Sequence, residues 1–393
     1  MRIDHTDAQR ELAAQLREYF AELMTPARRA SLAASGGEYG DGLAYKEIVR
    51  RLGKDGWLAL GWPREHGGQA RPMLEQLVFT DEAAAAGVPV PFLTVNTIGP
   101  TIMRYGTREQ KEFYLPRIAA GELHFSIGYS EPGAGTDLAS LRTRAVRDGD
   151  EYVISGQKMW TSLIEYADYV WLAARTDPAA KKHKGLSILV VPTSAPGFSW
   201  TKVRTVAGPG TSATYYDDVR VPVTARVADE NAGWPLITNQ LNHERVALTS
   251  AAPMRTALRD VLEWARTAVT PEGTPLLDAE WVRLNLARVH TRAEYLKLRN
   301  WQIAWAAEHR ELGPAEASAT KVFGTESAIE AYRLLMEVLG AAAVVREGSP
   351  GAVLAGRVER LHRSALILTF GGGTNEVQRD LVAATALGQP VTR

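Results

Sequence analysis

One carboxylate in this chain stands in a context in which it could act as a base. Glu244 is followed by Arg245, and both lie in the stretch Asn239 to Leu248, which reads as part of an apolar helix. Desolvation raises the pKa of a glutamate, and a raised pKa suits it to removing a proton from a weak carbon acid. The same dipeptide is more often a surface ion pair. The residues by themselves leave both roles open for Glu244.

A glycine-rich turn, Tyr129 to Asp137, carries the second chemical signal. Small flexible residues stand there between the hydroxyl-bearing Ser130 and Thr136, so the backbone amides can approach a ligand closely. Further along the chain, the stretch Gly156 to Ser162 adds an indole and two hydroxyl groups. Taken alone, the first stretch would be an ordinary glycine-rich turn between two strands.

The composition excludes several classes of site. Lys and Arg (45) balance Asp and Glu (45), and this zero net charge argues against a nucleic-acid partner. The absence of cysteine excludes disulfides, thiol nucleophiles and metal centres built on thiolates, and we expect no metal site. A polar N-terminus, together with the lack of an uncharged apolar run of spanning length, predicts a cytoplasmic protein that does not enter the membrane.

These residues must be positioned by more than one domain, because 393 residues are typical of two or three. Helical periodicity predicts an N-terminal α-helical domain over residues 1–122, opened by a capping pattern at Thr6. Short alternating segments predict a middle β-sandwich or barrel over residues 123–229. Long helical patterns then predict a C-terminal four-helix bundle over residues 230–393, so the fold class is α+β and multidomain.

In this order and at this spacing, the two motif stretches resemble the acyl-CoA dehydrogenase family. The resemblance covers nearly the whole chain and includes Tyr105–Lys111, Asn231–Trp234 and Phe370–Arg379. It implies the same α–β–α domain order and FAD as the cofactor. It also implies dehydrogenation of an acyl-CoA thioester to the trans-2-enoyl-CoA, with electrons passed to an electron-transferring flavoprotein.

The resemblance assigns the cofactor contacts residue by residue. Ser130 matches the contact to the pyrimidine side of the flavin, Thr136 a hydroxyl near the pyrophosphate, and Trp160 the indole against the isoalloxazine. Ser162 matches the hydroxyl that faces the hydride-accepting nitrogen. The full set of implied cofactor-binding residues is Tyr129, Ser130, Thr136, Trp160, Thr161, Ser162, Gly373, Thr374 and Glu376. For Thr374 and Glu376, a capped helix start is an equally good interpretation.

The base is where this chain departs from the commonest family pattern. Many members carry the catalytic glutamate at the position that Gly372 occupies here, and a glycine cannot take a proton. A minority carry it on the first long helix of the bundle, which Glu244 matches. The resemblance therefore makes Glu244 the catalytic base and places Arg245, Gly371 and Gly372 at the substrate. Missing side chains in the glycine run would leave room for a bulky ring system.

Two further departures concern assembly. Homotetrameric members lend a neighbour an Arg-x-x-Phe-Gly and a Gln-x-x-Gly-Gly stretch, but here Ala265–Pro271 and Glu337–Ala341 lack those patterns. This combination resembles the actinobacterial steroid acyl-CoA dehydrogenases, in which two unlike subunits form α2β2 heterotetramers. It implies a steroid side-chain substrate of the 3-oxo-cholest-4-en-26-oyl-CoA type. The alternatives are an acyl-CoA oxidase or flavin monooxygenase on the same fold, and a non-catalytic subunit that supports an active paralogue.

Overall fold

The computed structural model describes residues 4–33, 39, 42–208, 210–238, 240, 250–310 and 312–390. A helical region comes first, then a β region, then a second helical region, and this order confirms the predicted fold class. The exact boundaries at 122/123 and 229/230 stay predictions. No helix in these ranges is long and apolar enough to cross a membrane.

The N-terminal region is a layer of helices around one apolar core. Its helices are α1 (Asp7–Leu23), α2 (Pro26–Ala33), α3 (Leu43–Lys54), α4 (Met73–Ala86), α5 (Gly99–Tyr105) and α6 (Arg108–Ala119), with a π-helical turn at Leu93–Ile98. Helices α1 and α6 both begin with capping boxes, because Thr6 and Thr107 each accept a hydrogen bond from the backbone of a glutamine three residues on. The predicted cap at Thr6 is confirmed.

The middle region is an eight-stranded mixed sheet. Its strands are β1 (Phe125–Gly128), β2 (Arg144–Asp148), β3 (Glu151–Lys158), β4 (Tyr169–Arg175), β5 (Leu186–Pro192), β6 (Phe198–Val203), β7 (Thr211–Pro222) and β8 (Arg226–Val227), in the order β6-β7-β3-β2-β4-β5-β8 with β1 parallel to β4. Strands β4 and β5 are buried along almost their whole length, which explains their continuous apolar runs. The sequence does not predict β8, because two residues are too few to show alternation.

The C-terminal region is a helical bundle built around one central helix. Its helices are α7 (Ala252–Ala265), α8 (Glu280–His309), α9 (Pro314–Leu339), α10 (Arg357–Ala365) and α11 (Asn375–Ala386). Helix α9 packs against the other four, and α4 of the N-terminal region packs against α7 and α8. The N-terminal region and the bundle therefore share an interface.

Candidate functional site

A buried ion pair supports the glycine-rich turn. The Lys158 ammonium is fully buried and lies 2.8 Å from Oε1 of Glu131, and it also donates to the carbonyl of Tyr129 at 3.0 Å. The Glu131 carboxylate accepts hydrogen bonds from the backbone amides of Arg142 (2.7 Å) and Thr143 (2.8 Å). Burial lowers the pKa of Lys158 to about 8, although Glu131 opposes that shift. Burial would raise the pKa of Glu131, but Lys158 and the two amides outweigh it and lower that pKa.

Tyr129 faces the interior of the protein. Its hydroxyl donates to Oε1 of Gln240 and accepts from Nε1 of Trp171 at 3.2 Å, and both partners are buried. The hydroxyl is thus hydrogen-bonded within the protein, and any contact of Tyr129 with a cofactor would have to use its backbone. The predicted role of Tyr129 in cofactor binding stays a prediction.

An exposed aromatic residue lies two positions after Lys158 in the chain. Trp160 is 55% exposed and has a φ of 65°, a left-handed backbone conformation that is unusual for a large side chain. The amide of Met159 donates to the carbonyl of Ser130 at 2.8 Å, so the two motif stretches are in direct contact. Within the described residues, the hydroxyls of Ser130 and Thr136 make no hydrogen bond. Strained backbone and free donors on a surface are typical of a ligand-binding site.

Five predicted cofactor residues thus lie in two stretches that are in direct contact, the glycine-rich turn and the stretch that follows β3. We call this group of residues the platform and define it as Ser130, Thr136, Trp160, Thr161 and Ser162. A Cβ atom added at Gly133 or Gly135, in the turn beside it, would meet nothing within 4 Å, so the turn borders open space. Hydroxyl donors and an exposed indole fit a flat heteroaromatic cofactor with polar edges.

Thr161 and Ser162 join the platform to the sheet. The amide of Thr161 donates to the carbonyl of Ser212 at 2.9 Å, and the side chain is buried. The Ser162 hydroxyl lies 3.2 Å from that of Thr211, and its carbonyl accepts from the Ser126 hydroxyl at 2.8 Å. Ser162 also lines a large cavity.

This cavity, of about 1080 Å³, lies where the three regions of the chain meet. Its walls are mainly apolar: the N-terminal region contributes Trp62, Phe79 and Leu93, and the bundle contributes Met254, Ala328 and Leu368. Pockets of several hundred cubic ångströms hold drug-sized ligands, so this one can take a large apolar group.

A buried lysine holds the C-terminal glycine turn, which comprises residues 371–373. The Lys321 ammonium is fully buried and donates to the carbonyls of Thr369 (3.2 Å) and Gly373 (2.9 Å) and to Oδ1 of Asn375 (2.7 Å). Gly372 and Gly373 have φ values of 67° and 87°, which glycine adopts without strain. Lysines are seldom fully buried, and this one neutralises backbone oxygens that the turn would otherwise leave without donors.

The residues that follow this turn begin helix α11. Thr374 is its N-cap and accepts a hydrogen bond from the amide of Val377 at 3.4 Å, while Glu376 is exposed in the first turn. The interpretation of Thr374 as a helix cap is therefore confirmed. The cofactor roles of Gly373, Thr374 and Glu376, and the substrate roles of Gly371 and Gly372, stay predictions.

The predicted base, Glu244, and its neighbour Arg245 lie outside the described residues. The residues that flank this stretch are both anchored. Gln240 is buried against Tyr129, and the Ser250 hydroxyl donates to Oδ1 of Asp81 on α4 at 2.5 Å. Burial raises the pKa of Asp81 to about 6, against the opposing effect of the Ser250 hydrogen bond.

Sequence reasoning missed the two buried lysines and Glu131. Lys158 left a signal: it shares the inward-facing side of β3 with Tyr152 and Ile154, where an apolar residue would be usual. A charged residue at such a position requires a buried partner, and Glu131 provides it. No group of three or more histidine, cysteine, aspartate or glutamate residues that could hold a metal occurs in the described part of the chain.

Family models match three successive parts of this chain. The acyl-CoA dehydrogenase N-terminal, middle and C-terminal domains match residues 6–122, 126–219 and 231–387. The chain therefore belongs to the acyl-CoA dehydrogenase family, which confirms the resemblance and the enzyme class predicted from the sequence.

Individual relatives show which members of the family this chain is similar to. The chain is 67% identical to the acyl-CoA dehydrogenase FadE26 of Mycobacterium tuberculosis and 46% identical to FadE29 of the same organism, over 99% of each chain in both cases. Among solved structures, it matches the ChsE4–ChsE5 complex of M. tuberculosis (66% identity, TM-score 0.93) and the Tcur3481–Tcur3483 steroid acyl-CoA dehydrogenase (52% identity, TM-score 0.93) over 100% of each chain. The predicted resemblance to two-chain steroid acyl-CoA dehydrogenases is confirmed.

Proposed function

We propose that this chain catalyses the FAD-dependent α,β-dehydrogenation of an acyl-CoA thioester to the trans-2-enoyl-CoA. The observation that carries the proposal is the position of Ser162, which belongs to the platform and also lines the apolar cavity. The predicted cofactor surface and a space suited to an acyl group therefore meet at one side chain. Membership of a flavin-dependent family supports the same reaction.

The platform would hold the flavin through hydrogen bonds and stacking. FAD, when bound, supplies the acceptor for the hydride that leaves the β-carbon of the substrate. The hydroxyls of Ser130 and Ser162 can donate hydrogen bonds to the ring system, and Trp160 offers an exposed indole for packing. The Lys158–Glu131 pair keeps the backbone beneath these residues in place.

Glu244 is the proposed base that removes the α-proton. Gly372 leaves no carboxylate at the position that many family members use, and Glu244 matches the alternative position on the bundle. The nearest described residues, Gln240 and Ser250, are bonded to the β region and to α4 respectively. An acyl group beside the carboxylate would exclude water and raise its pKa towards that of the substrate.

Glu244→Gln tests the proposed base directly. We expect turnover to fall by about 10²- to 10⁴-fold, the usual contribution of a general base, with the flavin retained. Glu112→Gln, an exposed carboxylate on α6, is the matched control and should keep full activity. Full turnover by Glu244→Gln would favour the non-catalytic alternative. Stoichiometric oxygen consumption by the wild-type protein would favour an oxidase over transfer to an electron-transferring flavoprotein.

The proposed acyl group is a steroid side chain. A cavity of about 1080 Å³ is at the upper end of ordinary ligand pockets, and a solved relative at 52% identity is a steroid acyl-CoA dehydrogenase. Comparing kcat/KM for 3-oxo-cholest-4-en-26-oyl-CoA and octanoyl-CoA tests this assignment. Equal or better turnover of octanoyl-CoA would refute it.

A second acyl-CoA dehydrogenase-like chain is the proposed partner, in an α2β2 heterotetramer. Helix α8 exposes large apolar side chains at helical spacing, as an interface helix would. They are Trp281, Leu284, Tyr295, Leu298 and Trp305. Glu337, which replaces the glutamine that family members lend to a neighbour, is instead engaged within its own chain by Arg333 and by Asn285 (3.0 Å).

Flavin content tests the partnership. Expressed alone, the chain should retain little FAD, whereas co-expression with its genomic neighbour should give a single FAD for each pair of unlike chains. Trp305→Gln should weaken the association, because Trp305 is half exposed in the isolated chain. A flavin-replete homotetramer formed by this chain alone would contradict the proposal.

A further inference from the structure

Asn96 is a polar residue on the cavity wall that the N-terminal region contributes. The side chain is half-buried, lines the cavity, and makes no hydrogen bond within the described residues. A polar group beside an apolar space is costly unless it finds a partner. A second amide on the cavity, that of Gln76, has such a partner, because its Nε2 donates to the carbonyl of Arg71 at 2.9 Å.

The backbone that carries Asn96 is held from two sides. Asn96 lies in the π-helical turn Leu93–Ile98, where the Thr94 hydroxyl accepts from the amide of Phe125 at 3.1 Å. On the other side of Asn96, the carbonyl of Val95 accepts from Nε1 of Trp62 at 3.0 Å. π-helical turns are frequent at functional sites, and these bonds hold the backbone of Asn96 at the cavity wall.

The same wall packs too closely to shift as a unit. A Cβ atom at Gly99, which follows the turn, would lie 2.2 Å from the ring of Trp62. The Thr101 hydroxyl also donates to the carbonyl of Thr97 at 2.8 Å and ties the turn to α5. The backbone at Asn96 is therefore pre-organised, so a ligand that bonds to this residue loses little free energy in ordering the segment that carries it.

Most other polar side chains on the cavity are bonded within the protein. The Thr80 hydroxyl donates to the carbonyl of Gln76 at 2.9 Å, that of Ser250 to Asp81 at 2.5 Å, and that of Thr325 to the carbonyl of Lys321 at 2.9 Å. Two hydroxyls on the bundle wall, those of Tyr332 and Ser364, resemble Asn96 in this respect: within the ranges that the structure describes, neither makes a hydrogen bond. Substitutions of these two residues can therefore be compared with a substitution of Asn96.

We propose that Asn96 recognises an oxygen atom carried by the ring system of the acyl group, and so selects oxygenated polycyclic acyl-CoA esters over hydrocarbon ones. The inference rests on the proposed function, in that the cavity takes the acyl group. A carboxamide both donates and accepts, so it can bond a ring ketone through Nδ2 or a ring hydroxyl through Oδ1. An ester without that oxygen would leave the amide buried and unpaired, and such a loss discriminates between substrates.

The test uses the chain purified with its partner and two esters that differ only in the ring oxygen. These are 3-oxo-cholest-4-en-26-oyl-CoA and the same skeleton without the 3-oxo group. Asn96→Leu should lower kcat/KM for the oxygenated ester by about tenfold and change the other by less than about twofold, as expected for one hydrogen bond. Leu93→Met, an apolar exchange on the same turn, should affect both esters equally.

Equal losses for the two esters in Asn96→Leu, or no loss for either, would overturn the proposal. The proposal also fails if Tyr332→Phe or Ser364→Ala removes the discrimination and Asn96→Leu preserves it. The dissociation constants of the two enoyl-CoA products, measured in parallel, separate this inference from the proposed function. If neither ester is dehydrogenated, the proposed function fails, and the ratio of the two dissociation constants in Asn96→Leu still decides the role of Asn96.

Discussion

The ammonium of Lys158 lies 2.8 Å from a carboxylate oxygen of Glu131, and neither side chain is more than one-tenth exposed. The pair joins the end of β3 to the glycine-rich turn, and through the carbonyl of Tyr129 it fixes the chain just before Ser130. A charge buried here without its partner would be strongly unfavourable. The geometry of the platform therefore depends on two residues beneath it that need not touch any ligand.

Lys158→Met should destabilise the protein severely. It leaves the Glu131 carboxylate buried without its cation, and breaking such a pair costs about 3–5 kcal/mol in the free energy of unfolding. The matched control is Lys182→Met, because Lys182 lies 2.7 Å from Asp137 but both side chains are more than half exposed. That change should cost less than about 1 kcal/mol. Chemical denaturation measures both, and similar losses for the two variants would contradict the prediction.

Asp81→Asn should alter how stability depends on pH. Burial raises the pKa of Asp81 to about 6, above the value of about 3.9 in an unfolded chain. Between these values the folded state binds more protons, so this group's contribution to stability is full below about pH 4 and is lost as the pH rises through 6. Asparagine keeps an acceptor for the Ser250 hydroxyl and does not titrate.

We therefore expect Asp81→Asn to be more stable than the wild type at pH 7.5 by about 1–2 kcal/mol, and equally stable near pH 4. Asp148→Asn is the control, because Asp148 is 62% exposed and pairs with Arg220 at the surface. It should leave the pH profile unchanged within about 0.5 kcal/mol. Thermal unfolding across this pH range gives the result, and a wild-type profile for Asp81→Asn would refute the assignment.

Gly373→Ala should be much more damaging to stability than Gly371→Ala. Gly373 has a φ of 87°, and a Cβ there would lie 2.6 Å from Nε2 of Gln378. We expect a loss of about 1–3 kcal/mol from the strained backbone and the lost contact. A Cβ at Gly371 meets nothing within 4 Å, and its φ is not positive, so that variant should fold normally.

The same pair of variants tests the predicted substrate role of Gly371. If the glycine run leaves space for rings, Gly371→Ala should lower kcat/KM for a steroid ester more than for octanoyl-CoA. Equal effects on the two substrates would remove Gly371 from the substrate site. Unfolding of Gly371→Ala to the same extent as Gly373→Ala would contradict the structural distinction between them.

Trp160→Gly should retain the fold and lose the cofactor. The φ of 65° at Trp160 strains any side chain there, and glycine relieves a cost of about 1 kcal/mol that alanine would keep. The glycine variant should therefore be at least as stable as Trp160→Ala when both are free of flavin. Both should release FAD more readily than the wild type, because the exposed indole is gone. Flavin retention equal to the wild type would exclude Trp160 from the platform's function.

Local patterns in the sequence determined much of the fold. The capping residues Thr6 and Thr107 begin their helices because the cap needs only atoms within one turn. The apolar runs of β4 and β5 indicate buried strands for a similar reason, since a continuous run of apolar residues is visible in consecutive positions. The family motifs predicted the platform residues, and their cofactor roles stay predictions.

Only the tertiary structure decided what surrounds those residues. Lys158 pairs with Glu131, and Lys321 donates to the carbonyls of the glycine turn. Asn96 lines the cavity. All three positions depend on packing between segments that are far apart in sequence. No local pattern encodes such contacts, because burial of a charge or an amide depends on which distant surface covers it. The sequence by itself determined the family and predicted which groups carry the chemistry, whereas the packing of the regions decided which side chains are buried and bonded within the protein and which lack a partner.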